Sequence, residues 1–226
     1  NMEPATACAV AHNVGVPADA QIYDISNACL GALNGIIQVA NAIELGQIKA
    51  GLVVSCESAR QIVESTIDKL IKSPDMSTFK KSMATFTGGS GAVAILLTSK
   101  RLSDQGHQLL GGVIQNEVKH HGLCTWGPSG TGIPVQADYI METDAQSVLK
   151  HGVVLGKKTY DAFVNEFDLK DDGFDKVICH QVGAAHRKTI LGSVNIPVEK
   201  DYATFPHLGN IGSVSLPITA AIANEE

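Results

Sequence analysis

The sequence predicts an α/β protein with two similar halves, each rich in strand–helix–strand units. Short apolar segments with many β-branched residues alternate with longer segments of helical period. In addition, Ile22-Tyr23-Asp24-Ile25 leads through Cys29 into a helix pattern, and Lys176-Val177-Ile178-Cys179 leads through His180 into another. Because each pattern places a reactive side chain just beyond a predicted strand, the two stretches indicate an approximate internal duplication.

The first half of the chain alternates between helix and strand. Its predicted elements are a helix over residues 4–14, a strand over 21–25, a buried helix over 29–45, a buried strand over 50–56, a helix and surface excursion over 57–85, and a strand over 92–97. The strand–helix–strand order over residues 21–56 predicts a parallel crossover. Two glycines inside the buried helix, Gly31 and Gly35, favour close approach of a neighbouring backbone.

The second half follows a polar stretch, residues 98–108, which is the best candidate boundary between predicted domains 1–98 and 107–226. Its predicted elements are a strand over residues 109–118, a loop over 127–133, a helix over 143–167 broken near Gly152 or Gly156, a strand over 174–179, and a helix over 183–191. The chain starts and stops abruptly, so we expect a fragment that is truncated at both ends.

Composition excludes several classes of function. A net charge of -6 and a pI near 5.7 argue against nucleic acid or an anionic membrane as the main partner. Five cysteines without regular spacing fit reduced thiols in a cytoplasmic protein. No apolar run reaches the roughly 18 residues of a membrane span. The expected protein is therefore cytoplasmic, without a membrane span.

Two further motifs carry little weight for function. His120, His121 and Cys124 invite a metal site, but they lack a fourth partner at ligand spacing, so a solvated loop is favoured and no metal is expected. Gly88-Gly89-Ser90-Gly91 is a glycine turn and no phosphate-binding loop, because no Gly-Lys-Ser/Thr follows it.

Cys29 stands where the predicted strand meets the predicted helix. The first N–H groups of a helix lack intrahelical partners and carry partial positive charge, so a thiolate there is stabilised and its pKa is lowered. A thiolate is a nucleophile, whereas an unpaired cysteine is commonly a small buried hydrophobe. From this stretch alone, both readings of Cys29 are equally compatible with the sequence.

Three motifs together resemble the active site of the thiolase superfamily, in the branch that contains beta-ketoacyl-acyl-carrier-protein synthase III. They are Asp24–Gly31 around a cysteine, Cys179–Gln181 around a histidine and His207–Ser213 around an asparagine. The resemblance implies a thiolase-like fold whose two halves form a layered α-β-α-β-α arrangement. It also implies Cys29, His180 and Asn210 as the catalytic set.

Within that branch, Ser26–Gly31 is most similar to the acyl-CoA condensing enzymes of bacterial long-chain olefin biosynthesis. This similarity implies an acyltransferase that joins two fatty acyl-CoAs without decarboxylation to a β-keto acid, through an acyl–Cys29 intermediate and without a cofactor. It implies Glu3 as the base, reaching a partner's acyl pocket in a homodimer, and Arg187 as a contact to the CoA phosphate. Two alternatives stay open: a decarboxylative synthase that uses malonyl-carrier protein, and a silent partner subunit.

Overall fold

The computed structural model of the chain describes residues 3–128, 139–169 and 173–226. These residues form two compact units. Unit 1 contains Asn1–Val54 and Ala94–Asp104, and unit 2 contains Ser55–Val93 and Gln105–Glu226. The sequence-based division into residues 1–98 and 107–226 stays a prediction.

The described residues contain both helices and strands. The helices are α1 (Thr6–Val14), α2 (Gly31–Glu44), α3 (Arg60–Lys72), α4 (Met76–Ser82), α5 (Ala145–Glu166), α6 (Ala184–Ser193), α7 (Phe205–Leu208) and α8 (Ser215–Glu225). The strands are β1 (Ala50–Ser58), β2 (Ser90–Thr98), β3 (Cys124–Pro128) and β4 (Tyr139–Thr143). Single turns of 3₁₀ helix lie at Ala28–Leu30, Thr85–Thr87, Val118–Leu123, Val198–Lys200 and Gly212–Val214.

Unit 1 is built on α1 and α2. The predicted first helix is confirmed, and it ends at Gly15, whose left-handed φ of 70° suits glycine. The expected close approach of a backbone is not what Gly35 in α2 shows: a Cβ there would lie 2.8 Å from Cγ1 of Val53, so the neighbour is a side chain. On the facing strand, a Cβ at Gly51 would lie 2.5 Å from Cγ1 of Val39. The two elements therefore pack with little room for extra atoms.

The predicted strand over residues 21–25 is wrong. This stretch is extended without a β ladder, and Ile22, Tyr23 and Ile25 are exposed. Its Asp24 instead caps α1, since the carboxylate accepts the N–H groups of Thr6 and Ala7 at 2.9 and 2.8 Å. A strand requires a partner strand for its hydrogen bonds. Within the described part of the chain, this segment instead binds the start of a helix.

The predicted parallel crossover ending in β1 is also wrong. β1 pairs with β2 in a two-stranded sheet. The Ser99 N–H donates to the carbonyl of Lys49, and the Ala59 N–H donates to Oγ of Ser90. The start of one strand therefore lies beside the end of the other, which is the antiparallel arrangement. Along both strands more accessible and less accessible residues alternate, so the expected burial of both faces is not found.

In unit 2, β3 and β4 form an antiparallel pair that the sequence did not predict. α5 begins after Asp144, whose carboxylate accepts the N–H of Ser147 at 3.0 Å. The predicted break in this helix is wrong, because α5 runs unbroken over 22 residues. Gly156 serves packing instead, since a Cβ there would lie 2.5 Å from Cδ1 of Ile190 on α6.

Three more predicted segments of unit 2 differ from the structure. Residues 109–118 form no strand, and Leu110 is 83% exposed, because no strand among the described residues pairs with this segment. His120 and His121, which were expected in a solvated loop, lie in the 3₁₀ segment Val118–Leu123, and Cys124 begins β3. The predicted loop over 127–133 starts within β3 and then leaves the described residues.

The predicted strand over residues 174–179 is reduced to one parallel bridge, between Val177 and Asp201. The helix that follows is confirmed as α6. Several buried side chains of this part of unit 2 lie in α6 and in the chain that follows it. They include Leu191, Ile196, Ile211, Val214 and Thr219. No described helix is long and apolar enough to cross a membrane.

Candidate active site

Cys29 occupies an exposed 3₁₀ turn, Ala28–Leu30, directly before α2. The residue before it, Ala28, has a φ of 43°, which is unfavourable for any residue with a Cβ. On the other side of the turn, the amide nitrogen of Asn27 donates to Oδ1 of Asn34 in α2 at 2.6 Å. A strained backbone held by neighbouring contacts is common at active sites. As expected, Cys29 lies at the start of a helix.

Glu3 lies in the same unit as Cys29. It is exposed and stands three residues before α1. Asp24, which caps α1, stands five residues before Cys29. The cap therefore ties the segment that follows Glu3 to the segment that leads into the cysteine.

His180 in unit 2 is fixed through both of its neighbours along the chain. The N–H of Cys179 donates to the buried carboxylate of Asp201 at 2.8 Å. Gln181 is 1% exposed, and its amide nitrogen donates to the carbonyl of Cys179 at 2.6 Å. The Gln181 side-chain oxygen accepts the N–H groups of Thr204 and Phe205. The backbone at His180 is thus held by two buried polar side chains.

The environment of His180 favours the neutral imidazole. His180 keeps part of its surface accessible, yet the surrounding protein displaces enough water to lower its pKa. The positive charge of a protonated His186 lowers the pKa of His180 further, by a smaller amount. Burial also lowers the pKa of His186 itself. A neutral imidazole carries one N–H, so His180 can donate a hydrogen bond without carrying a full charge.

Cys179 is a second cysteine in the motifs, and its surroundings suppress the thiolate. Burial raises the pKa of the Cys179 thiol to about 12, with further contributions from the charge of Asp201 and from a hydrogen bond to it. At neutral pH this thiol stays protonated and is a poor nucleophile. The two cysteines therefore differ in chemistry: Cys29 is exposed at a helix start, and Cys179 is protonated beside a carboxylate.

Arg187 contacts the protein itself. Its Nε donates to the Asp201 carboxylate at 2.5 Å, and its Nη2 donates to the carbonyls of Val198 and Asp201 at 2.8 and 2.6 Å. The Asp201 side chain is fully buried, so this ion pair holds the segment opposite Cys179 in place. These contacts favour a structural role, and a contact between Arg187 and the CoA phosphate stays a prediction.

Asn210 is held by the backbone of the glycine turn before β2. Its N–H donates to the carbonyl of Thr87, and its carbonyl accepts the N–H of Gly89 at 2.8 Å. This close contact requires glycine, because a Cβ at Gly89 would overlap the carbonyl oxygen of Leu208. The glycine turn, which the sequence explains only as an entry to a strand, thus positions the candidate catalytic asparagine.

The Asn210 side chain is oriented by its own loop. Its Oδ1 accepts the N–H of Gly212 at 3.0 Å and lies 3.5 Å from Oγ of Ser215. Since the oxygen is used within the loop, the NH₂ group is the one that can donate to a ligand. Asn210 lines a cavity of about 430 Å³ in unit 2, together with Phe86–Gly88, Val182–Gly183 and Phe205–Gly209.

The two candidate donors of unit 2 are connected through one short helix. Gln181, next to His180, accepts the N–H of Phe205 at the first residue of α7. Asn210 follows α7 by two residues. Gln181 lies within the histidine motif, but the sequence does not show its contacts; the signal is only that a buried amide must find partners. Cys29 and Glu3 belong to unit 1, and His180, Asn210 and Arg187 belong to unit 2.

Comparison with known proteins shows what the chain is similar to. The family model of 3-oxoacyl-(acyl-carrier-protein) synthase III matches residues 23–117. An acyl-CoA:acyl-CoA alkyltransferase of Shewanella oneidensis is 52% identical to this chain over 99% of the chain's length. A second acyl-CoA:acyl-CoA alkyltransferase, from Xanthomonas campestris, is 30% identical over 99% of the chain. The chain spans 65% and 64% of the lengths of these two relatives.

Solved structures with a similar fold are variants and complexes of one enzyme. A cysteine-to-alanine variant of Xanthomonas campestris OleA matches with a TM-score of 0.89 at 30% identity, covering 100% of this chain and 63% of that one. OleA with bound lauric acid and lauroyl-CoA matches with a TM-score of 0.88 at 30% identity, covering 100% of this chain and 64% of that one. The likeness confirms the predicted α/β, thiolase-like fold.

Proposed function

We propose that this chain, in its full-length protein, joins two fatty acyl-CoAs head to head through an acyl–Cys29 intermediate. The observation that supports this most strongly is the 52% identity to an acyl-CoA:acyl-CoA alkyltransferase over almost the whole chain. The related OleA has been solved with lauroyl-CoA bound, which makes a long-chain acyl-CoA the natural test substrate. The local chemistry at Cys29, His180 and Asn210 is consistent with this reaction.

In the first step, the Cys29 thiolate attacks the thioester carbonyl of one acyl-CoA. The new carbon–sulfur bond forms a tetrahedral oxyanion, which backbone N–H groups such as that of Cys29 stabilise. Collapse of the oxyanion breaks the bond to CoA, which leaves as a thiol after protonation. The exposed position of Cys29 gives a substrate access to the sulfur.

In the second step, a second acyl-CoA binds with its thioester oxygen facing His180 and Asn210. The neutral imidazole and the Asn210 NH₂ group donate to the enolate oxygen that forms when the α-proton leaves. The enolate carbon then attacks the acyl–Cys29 thioester, so a carbon–carbon bond forms and the carbon–sulfur bond breaks. Hydrolysis of the remaining CoA thioester gives the β-keto acid and a second CoA.

Glu3 is the proposed base for the α-proton, supplied by the partner subunit of a homodimer. Solved variants of Xanthomonas campestris OleA replace one glutamate, one cysteine and one histidine. In that enzyme the glutamate precedes the cysteine by the same number of residues that separates Glu3 from Cys29. The separation between cysteine and histidine is slightly longer here. This spacing supports Glu3 as the counterpart of that glutamate.

Product analysis tests the proposal directly. The full-length protein is supplied with lauroyl-CoA as the only acyl donor, and products are extracted and measured by mass spectrometry. We expect a C24 β-keto acid, or the ketone that forms when it loses CO₂. Cys29→Ala is the control and should give no product. Failure of the unmodified protein to form either product would refute the non-decarboxylative reaction.

The match to the synthase III family supports a second candidate, decarboxylative condensation with malonyl-carrier protein. Loss of CO₂ then creates the carbanion, so no base is needed for an α-proton. Glu3→Ala separates the two reactions: it should abolish product from lauroyl-CoA alone and spare product from malonyl-carrier protein. A silent partner subunit, in contrast, would show no acyl adduct on Cys29 when lauroyl-CoA is added.

A further inference from the structure

A carboxylate outside the proposed catalytic set holds the loop that carries Asn210. Glu57 projects from the end of β1, in unit 2. Its Oε1 accepts the Ser213 hydroxyl at 2.8 Å and the Ser213 N–H at 3.4 Å. Ser213 is 8% exposed, so these bonds form largely away from solvent. One carboxylate oxygen therefore binds both donors of a residue three positions after Asn210.

A second contact from the same strand also holds Ser213. Ser55 lies two residues before Glu57 and therefore on the same face of β1. Its Oγ lies 2.7 Å from Oγ of Ser213. Because the Ser213 proton points to Glu57, the hydroxyl of Ser55 donates to Ser213. Ser213 is thus bound by two side chains of β1.

The contacts of Glu57 and Ser55 with Ser213 lie beside the turn that orients the Asn210 amide. Gly212 has a φ of 55°, and a Cβ there would lie 3.0 Å from Oε1 of Glu57. The N–H of the same Gly212 donates to Oδ1 of Asn210 at 3.0 Å. Glu57 therefore packs against the residue whose N–H fixes the direction of the Asn210 NH₂ group.

We propose that Glu57 is a positioning residue for Asn210, acting through Ser213 and Gly212 and touching no reacting atom. The inference rests on the proposed role of Asn210 in condensation. A displacement of about 1 Å at a donor typically costs on the order of 100-fold in rate. Loss of Glu57 should thus slow the condensation step and leave acylation of Cys29 unchanged.

Three variants of the full-length protein test the proposal with lauroyl-CoA. Glu57→Ala removes the acceptor, so we expect product formation to fall by roughly 10-fold to 100-fold. Glu57→Gln keeps an oxygen acceptor for Ser213, so we expect a rate within about threefold of the unmodified protein. Glu64→Ala, at an exposed position of α3, is the matched control and should not change the rate. Single-turnover acylation of Cys29 should be equal in all of them.

The double variant Glu57→Ala/Asn210→Ala provides the sharpest comparison. If Glu57 acts through Asn210, the double variant is no slower than Asn210→Ala alone. Additive losses would overturn the inference, as would unchanged condensation in Glu57→Ala. Equal inactivity of Glu57→Gln and Glu57→Ala would make the carboxylate a base, which also contradicts a positioning role.

A crystal structure of Glu57→Ala separates this inference from the proposed function. We expect the bond between the Gly212 N–H and Oδ1 of Asn210 to be lost and the Asn210 amide to be displaced. An undisturbed Asn210 would refute the positioning role even if the unmodified protein condenses acyl-CoA. A displaced Asn210 would support it even if lauroyl-CoA gives no product, which would refute the proposed function alone.

Discussion

At the scale of single residues, His180 shows how a candidate catalytic side chain is held. Neither of its two restraints involves the imidazole: Asp201 binds the N–H of Cys179, and Gln181 binds the carbonyl of Cys179. Both restraints are buried and hydrogen-bonded, which makes the loss of either costly. Gln181→Ala would leave a buried carbonyl and two N–H groups without their partner.

The two cysteines of the motifs should differ sharply in reactivity. With a pKa of about 12, Cys179 is a thiolate in fewer than about one in ten thousand molecules at pH 7.5. We therefore expect iodoacetamide to modify Cys29 and to leave Cys179 unmodified, with peptide mass spectrometry as the measurement. Preincubation with lauroyl-CoA should protect Cys29. Cys179→Ser should keep the acyl adduct on Cys29, and loss of that adduct would point to Cys179 as the nucleophile.

The lowered pKa of His180 predicts a pH dependence of stability. Above the ordinary histidine pKa of about 6.5, the imidazole is neutral in both folded and unfolded states. As the pH falls below that value, the unfolded chain takes up a proton that the folded protein resists, so the free energy of unfolding decreases. The decrease stops once the pH is below the folded-state pKa.

Urea unfolding between pH 7.5 and pH 5 measures this effect in the unmodified protein and in His180→Gln. We expect the variant to lose less stability than the unmodified protein over that range, because one of the histidines with lowered pKa is gone. Identical pH profiles for the two proteins would contradict the lowered pKa.

At the scale of elements, the sequence predicted helices better than strands. Helices need only local signals such as the glycine after α1, and α1, α2 and α6 are present. The apolar stretches 21–25 and 109–118 carry a strand-like composition but have no ladder in the described chain. Composition reports a preference for extended backbone, whereas pairing depends on partners that are distant in sequence.

The contact between the glycine turn before β2 and Asn210 could not be predicted, for a related reason. A sequence shows that Gly88 and Gly89 permit a turn, but only the fold shows that the backbone of Asn210 lies against them. The candidate asparagine could therefore be chosen by motif, whereas the elements that hold it could not be predicted. The contacts of Gln181 and Glu57 could not be predicted for the same reason, since they join segments that are distant along the chain.

Gly89→Ala tests this contact, with Gly152→Ala as its matched control. A Cβ at Gly89 would overlap the Leu208 carbonyl, so we expect a loss of about 1–3 kcal/mol in the free energy of unfolding. Apart from the backbone of α5 itself, no atom of the described residues lies within 4 Å of the Cβ position at Gly152, so alanine should be neutral or stabilise the helix by up to about 1 kcal/mol. Urea unfolding measures both, and equal stability of the two variants would contradict the contact.

At the scale of the whole molecule, the proposed reaction draws on residues from both units. Chain order and motif identity were enough to predict the resemblance, which the family model and the relatives confirm. The sequence could not show the antiparallel pairing of β1 with β2 or the pair formed by β3 and β4. The homodimer and the role of Glu3 in it remain proposals that a mixing experiment can decide.

Complementation tests the shared site. Cys29→Ala and Glu3→Ala proteins should each be inactive with lauroyl-CoA. After exchange of subunits, half of the dimers are mixed and each has one site with both residues intact, so about a quarter of full activity should return. Measurement of product after mixing decides the point, with Cys29→Ala mixed with itself as the control. No recovery despite verified exchange would place Glu3 and Cys29 of one active site in the same subunit, or remove Glu3 from the reaction.

The left-handed backbone of Ala28 has a consequence for engineering this protein. Glycine at that position would relieve roughly 1 kcal/mol of strain, and it would also release the turn that presents the Cys29 sulfur. Ala28→Gly should therefore melt at a higher temperature and condense acyl-CoA more slowly. Selection for heat resistance alone would favour this change, so a screen for robust variants needs an assay of turnover beside it.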